Sequence, residues 1–131
     1  MRLSAVRLFV HELAPARRFY EGVLGLPLRR EGPGWCVFAL AASGGAADPA
    51  APALVLESVS PEAPEDEQAL VGRFSGVSFA VADIQVAFRQ LQAGGVFFTG
   101  APERQAWGGW LATFEDPAGN RLQIVQHPVA G

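Results

Sequence analysis

The sequence predicts an α+β fold: two β-α-β-β-β modules forming a curved mixed sheet, a half-barrel with a concave cup and its helices outside. Three observations predict it. The 131 residues are 50% hydrophobic and only 18% charged, a globular composition at single-domain length. The hydrophobic pattern runs strand, helix, strand, strand, strand, and then repeats that order. The two runs also match in register, because Val10 and Leu13 recur as Val81 and Ile84, 71 residues on in each case (81 − 10 and 84 − 13).

Leu3 to Val10 alternates as a strand, with Leu8 and Val10 on one face. Leu13, Ala16, Tyr20, Val23 and Leu24 then follow helical spacing, and Gly25 closes that helix. Pro27–Glu31 and Trp35–Leu40 read as strands joined across Gly32-Pro33-Gly34. A low-complexity loop over 41–51 leads to a short buried strand, Ala53–Glu57. These elements make module one, residues 1–60. Residues 61–72 read as a linker, because Pro61–Gln68 is rich in proline and acid and is expected to face water.

Module two, residues 73–127, begins with a strand over Phe74–Val81. Asp83 is placed to cap a helix whose apolar stripe is Ile84, Ala87, Phe88 and Leu91, and Gly94-Gly95 ends it. Val96–Phe98 is a strand, Thr99–Gly109 a loop and Trp110–Glu115 another strand. Asp116-Pro117-Ala118-Gly119-Asn120 makes a tight turn into a last strand, Arg121–Gln126. The closing strands correspond as well, Leu54-Val55-Leu56 with Leu122-Gln123-Ile124. Residues 1–131 are thus expected to be one domain of two modules.

Composition excludes several functions. All ten basic residues are arginine, and against thirteen acidic ones they give a net charge of −3, so no nucleic-acid footprint is expected. The single cysteine, Cys36, excludes an internal disulfide and an all-cysteine zinc site, and its mid-strand place suits a buried thiol. No apolar run approaches the length that spans a bilayer. Arg2, Arg7 and His11 interrupt the N-terminal apolar stretch, which therefore lacks a signal peptide's core; a cytoplasmic protein is expected. The chain has no G-x-S-x-G, H-x-x-x-H, H-E-x-x-H or C-x-x-C motif, and without lysine no phosphate-binding glycine loop of the usual kind.

Two passages carry a resemblance. The first is Val10-His11-Glu12-Leu13-Ala14-Pro15-Ala16-Arg17-Arg18-Phe19-Tyr20, followed by Val23-Leu24-Gly25-Leu26. The second runs from Trp107-Gly108-Gly109-Trp110 through Phe114-Glu115-Asp116-Pro117-Ala118-Gly119-Asn120. In that order, around a duplicated module, they resemble the vicinal oxygen chelate superfamily of glyoxalase I, bleomycin-resistance proteins and extradiol dioxygenases, and most closely its metal-free, bleomycin-resistance-like branch. The resemblance implies four metal-ligand positions, one on each of four strands. Here they hold Ala5, Val55, Gly76 and Gln123. Three have no donor atom and the fourth only a neutral amide, so no metal and no other cofactor is expected.

Glu57 lies two residues after Val55 and therefore on the same strand face, which makes it a candidate carboxylate. His11 and His127 lie in a strand-to-helix turn and after the last strand, where exposed positions are expected. The resemblance also implies a cup lined by Trp35, Phe38, Trp107 and Trp110, with Trp107 and Trp110 foremost and Trp35 facing them from the matching strand. Indole faces suit a planar ligand, and Arg104 and Arg121 are candidates for charge-assisted or cation–π contacts to it. The expected function is metal-independent binding of a small planar or aromatic molecule, an antibiotic or a metabolite, by a homodimer. Two alternatives stand beside it. One is a superfamily enzyme (lyase, isomerase or dioxygenase) with displaced ligands or metal-free chemistry; the other is a role in partner interaction or regulation.

Overall fold

A computed structural model describes residues 1–40 and 51–129; the loop expected over 41–51 lies, but for Ala51, outside them. The first module comprises β1 (Ala5–Val10), a helix α1 (Leu13–Arg18) that continues as a π-helical turn (Phe19–Val23), β2 (Leu28–Gly32), β3 (Trp35–Ala39) and β4 (Ala53–Ser58). Its sheet runs β1-β4-β3-β2, with β1 parallel to β4 and the other pairs antiparallel. After a single exposed turn, α2 (Glu65–Gln68), the second module follows as β5 (Phe74–Ala80), α3 (Ile84–Ala93), β6 (Phe97–Phe98), β7 (Glu103–Arg104), β8 (Trp110–Glu115) and β9 (Arg121–Gln126). Its sheet runs β5-β9-β8-β6, β5 parallel to β9, with β7 on β8. The strand order of the first module thus repeats in the second, and the α+β architecture is as expected.

Each helix packs on one face of its sheet because its apolar residues form one stripe. Asp83 caps α3, its side chain accepting from the Gln85 N–H at 3.1 Å and the Val86 N–H at 3.2 Å. The first helix departs from the regular one expected. Its last turn widens to the π register, with the Leu24 N–H donating to the Phe19 carbonyl at 2.9 Å. The neighbours Phe19 and Tyr20 are then both buried. The Thr99–Gly109 loop differs too, since it contains β7. The Gln105 N–H donates to the Gly109 carbonyl at 2.8 Å, closing a hairpin into β8.

Both sheets turn one face into a single shared core. Module one contributes Leu8, Val10, Cys36, Phe38, Leu54 and Leu56, and module two Ala112, Phe114, Leu122 and Ile124. Phe19 and Phe114 join the halves, their ring centroids 6.3 Å apart. Among the described residues, no strand of one sheet pairs with a strand of the other. Beyond its pairing with β4, β1 makes only an isolated parallel bridge, Phe9 to Val71. The faces opposite the core therefore open away from it, each on its own sheet.

Candidate functional site

Register fixes what the open face of module one carries. Directly paired residues share a face, so one row across the four strands is Arg30, Val37, Val55 and Arg7. The next row is Gly32, Trp35, Glu57 and Phe9. These rows floor a groove of about 670 Å³, lined by Arg7, Arg30, Trp35, Val37, Val55 and Glu57 among others. Glu57 is paired there, its Oε1 3.4 Å from Arg7 Nε. The Trp35 indole lies over Gly32: a Cβ at that position would fall 2.7 Å from the indole Nε1 and closer still to the ring carbons. An adjoining depression of about 200 Å³ is lined by Arg2, Arg29 and Arg30 around Ala5 and Val55.

Module two has an equivalent, more polar face. Gln123 lies between Ser78 and Thr113, and its side-chain amide donates to Thr113 Oγ1 at 3.2 Å. With Thr99, Glu103 and Gln105, Gln123 and Thr113 line a groove of about 280 Å³. On the neighbouring strand, Gly76 has φ +74°, inside a register shift between Phe74 and Ser78. A residue with a Cβ is strained in that conformation, so the backbone itself departs from a regular strand that would present a side chain to the cup.

The four positions that hold the metal in the vicinal oxygen chelate pattern do not fit a divalent ion. Ala5, Val55 and Gly76 lack donor atoms, and Gln123 offers only a neutral amide oxygen. Among the described residues, no three His, Cys, Asp or Glu side chains come together as a metal site. His11 is tied by Nδ1 to the Val59 carbonyl at 3.1 Å, while the exposed His127 ring lies beside Trp107 with centroids 6.0 Å apart. Cys36 is buried, and burial, reinforced by Glu31 and opposed by Arg17, pushes its thiol up, which favours the protonated form over the reactive thiolate.

The structure divides the aromatic residues expected to share one cup. Trp35 and Glu57 lie on the open face of module one, and Gln123 on that of module two. Phe38 does not reach either groove: it is fully buried in the core, 6.0 Å from Tyr20 ring to ring. Trp110 shares a strand face with Ala112 and Phe114 and packs against the core, on the side away from the groove. Trp107 is half exposed with its indole over Gly109, so that glycine seats the protein's own ring and gives a ligand no close access. Trp35 therefore does not face this pair. Arg104 is exposed opposite Trp110, and Arg121 is exposed at the start of β9, opposite Glu115. Sequence reasoning missed Arg7, Arg30 and Gly32. Their signal was strand alternation, which names groove neighbours only once the register between strands is known.

Comparison with known proteins bears on the family and the fold. Among curated proteins no sequence matches the chain. Among solved structures, a member of the glyoxalase/bleomycin resistance protein/dioxygenase superfamily from Sphaerobacter thermophilus DSM 20745 is 26% identical, over 97% of this chain and 98% of that one, with a TM-score of 0.74. TnmS3, an antibiotic binding protein from Streptomyces sp. CB03234, is 27% identical over 97% and 96% of the two chains, with a TM-score of 0.71. A lactoylglutathione lyase from Agrobacterium tumefaciens shares the fold alone, at 19% identity over 95% and 92% of the chains and a TM-score of 0.70. The family model of the Glyoxalase/Bleomycin resistance protein/Dioxygenase superfamily matches residues 2–124, and the chain belongs to that superfamily.

Proposed function

We propose that this protein binds a small planar or aromatic molecule without a metal ion, as a homodimer. The observation that carries the reading is the floor of the module-one groove. Where the metal chemistry needs a donor it has Val55, and in the same groove the Trp35 indole is seated on Gly32, with Val37 on the same strand face. Apolar contact and stacking then supply affinity; an indole contributes about 1–3 kcal/mol per stacked ring, as in base–aromatic stacking. The likeness to an antibiotic binding protein, at 27% identity, supports this ligand class.

Screening planar aromatic antibiotics and metabolites by tryptophan fluorescence tests the reading. A binder is expected, and Trp35→Ala weakens it at least tenfold, about 1.4 kcal/mol. Elemental analysis of purified protein is expected to find no stoichiometric Zn, Ni, Fe or Mn. One such ion per chain, or a binder indifferent to Trp35→Ala, overturns the proposal.

A further inference from the structure

The groove around Trp35 is not electrically neutral. Of the described residues lining it and the adjoining depression, Arg2, Arg7, Arg29 and Arg30 are cationic and Glu57 alone is anionic. Arg7 is matched by Glu57 at 3.4 Å. Arg30 lines both hollows, and its guanidinium has no ion pair or hydrogen bond among the described residues. It shares the row of Val37 and Val55, one row from the Trp35 indole. The unmatched Arg30 lines the same depression as Ala5 and Val55, where the family pattern would place metal donors. Its charge repels a metal cation and attracts an anion.

We infer that the ligand is anionic: a planar aromatic compound bearing a carboxylate or a comparable oxyanion, its ring against Trp35 and its anionic group on Arg30. A guanidinium offers a planar fork of N–H donors that matches a carboxylate, and its charge takes the part a metal ion would play toward that oxyanion. The inference rests on the proposed binding at Trp35, adding the charge of what binds.

A matched set of probes separates the two ideas: 2-naphthoate, its neutral analogue 2-naphthamide and cationic 2-naphthylmethylamine, titrated by calorimetry at low and high salt. We expect 2-naphthoate to bind at least tenfold tighter than 2-naphthamide and 2-naphthylmethylamine most weakly, with the preference shrinking as salt rises. Arg30→Gln, a change at an exposed side chain, is expected to bring 2-naphthoate down to the affinity of 2-naphthamide, and Arg30→Lys to keep part of the preference. Equal binding of naphthoate and naphthamide, or a preference for naphthoate that Arg30→Gln leaves intact, overturns the anionic ligand while leaving planar binding in place. If none of the three probes binds, both readings fail.

Discussion

The hydroxyl of Tyr20, on the π-helical turn of module one, donates to Asp116 Oδ2 in the last turn of module two at 2.7 Å. Each residue lies in one of the two passages that carry the family resemblance, so passages far apart in sequence close on each other in space. Asp116 also accepts from the Ala118 and Asn120 N–H groups at 2.9 Å and from the Asn120 amide at 3.0 Å. That amide in turn donates to the Phe9 carbonyl at 2.9 Å, and Asn120 Oδ1 accepts from the Gly72 N–H at 2.9 Å. One buried turn thereby clasps the helix and first strand of module one and the end of the linker. The widened π turn brings Tyr20 into it.

Tyr20→Phe is expected to destabilise the fold by about 2 kcal/mol, the scale of a buried hydrogen bond to a charged group. Its effect also depends on pH. Burial, then the Asp116 charge and hydrogen bond, hold the Tyr20 hydroxyl far above the ordinary tyrosine range. The unfolded chain releases that proton near pH 10 while the folded chain retains it. The contribution of Tyr20 is therefore whole below about pH 10 and is lost as pH rises, by about 1.4 kcal/mol per pH unit. Tyr20 is the only tyrosine and the chain has no lysine, so few other groups titrate there. The raised Cys36 thiol adds an earlier loss of the same sign. Urea unfolding from pH 8 to 11 is expected to show a steeper decline above pH 10 in the wild type than in Tyr20→Phe.

Much of this architecture was legible in the sequence, since hydrophobic period and turn chemistry are local. The 71-residue repeat marked the duplicated modules, and Asp83 marked the start of α3 by the residue type a cap requires. The face on which a tryptophan lies is not local. Trp110 and Trp35 both lie on strands, but a shift of one residue in register exchanges core for groove. The sequence also shows glycines beside Trp35 and Trp107 without showing that each indole folds back over one of them. The groove arginines come from β1 and β2, at opposite edges of the sheet, and only the strand order β1-β4-β3-β2 places them in one row.

The second prediction concerns assembly. Each sheet turns one face to the common core and leaves the other open, and beyond their own modules β1 and β5 have unpaired edges among the described residues, save the Phe9–Val71 bridge. On module two, Phe74, Arg121, Glu115 and Phe97 form one row on the open face, and Phe74 and Phe97 are 57% and 62% exposed. Water-exposed rings at both ends of such a row favour a second copy that covers them. Light scattering at micromolar concentration is expected to give twice the chain mass, and Phe74→Glu with Phe97→Glu to shift it toward the monomer. A monomeric wild type removes the homodimer.

The third prediction isolates the seat of Trp35. Gly32 is on β2, an edge strand, where glycine ordinarily weakens a strand and alanine would be neutral or better. Here a Cβ would overlap the indole, so alanine forces the ring off its seat without enlarging a cavity in the core. Gly32→Ala is expected to change unfolding free energy by less than about 1 kcal/mol, as surface changes outside the core usually do. In protein labelled with 5-fluorotryptophan, one resonance of the three is expected to shift, since Trp107 and Trp110 lie on the other module. Ligand affinity is expected to fall about tenfold, which is 1.4 kcal/mol of lost stacking and apolar contact. If Gly32→Ala leaves both that resonance and the affinity unchanged, the indole is not held by its contact with Gly32, and its orientation toward the groove needs another cause.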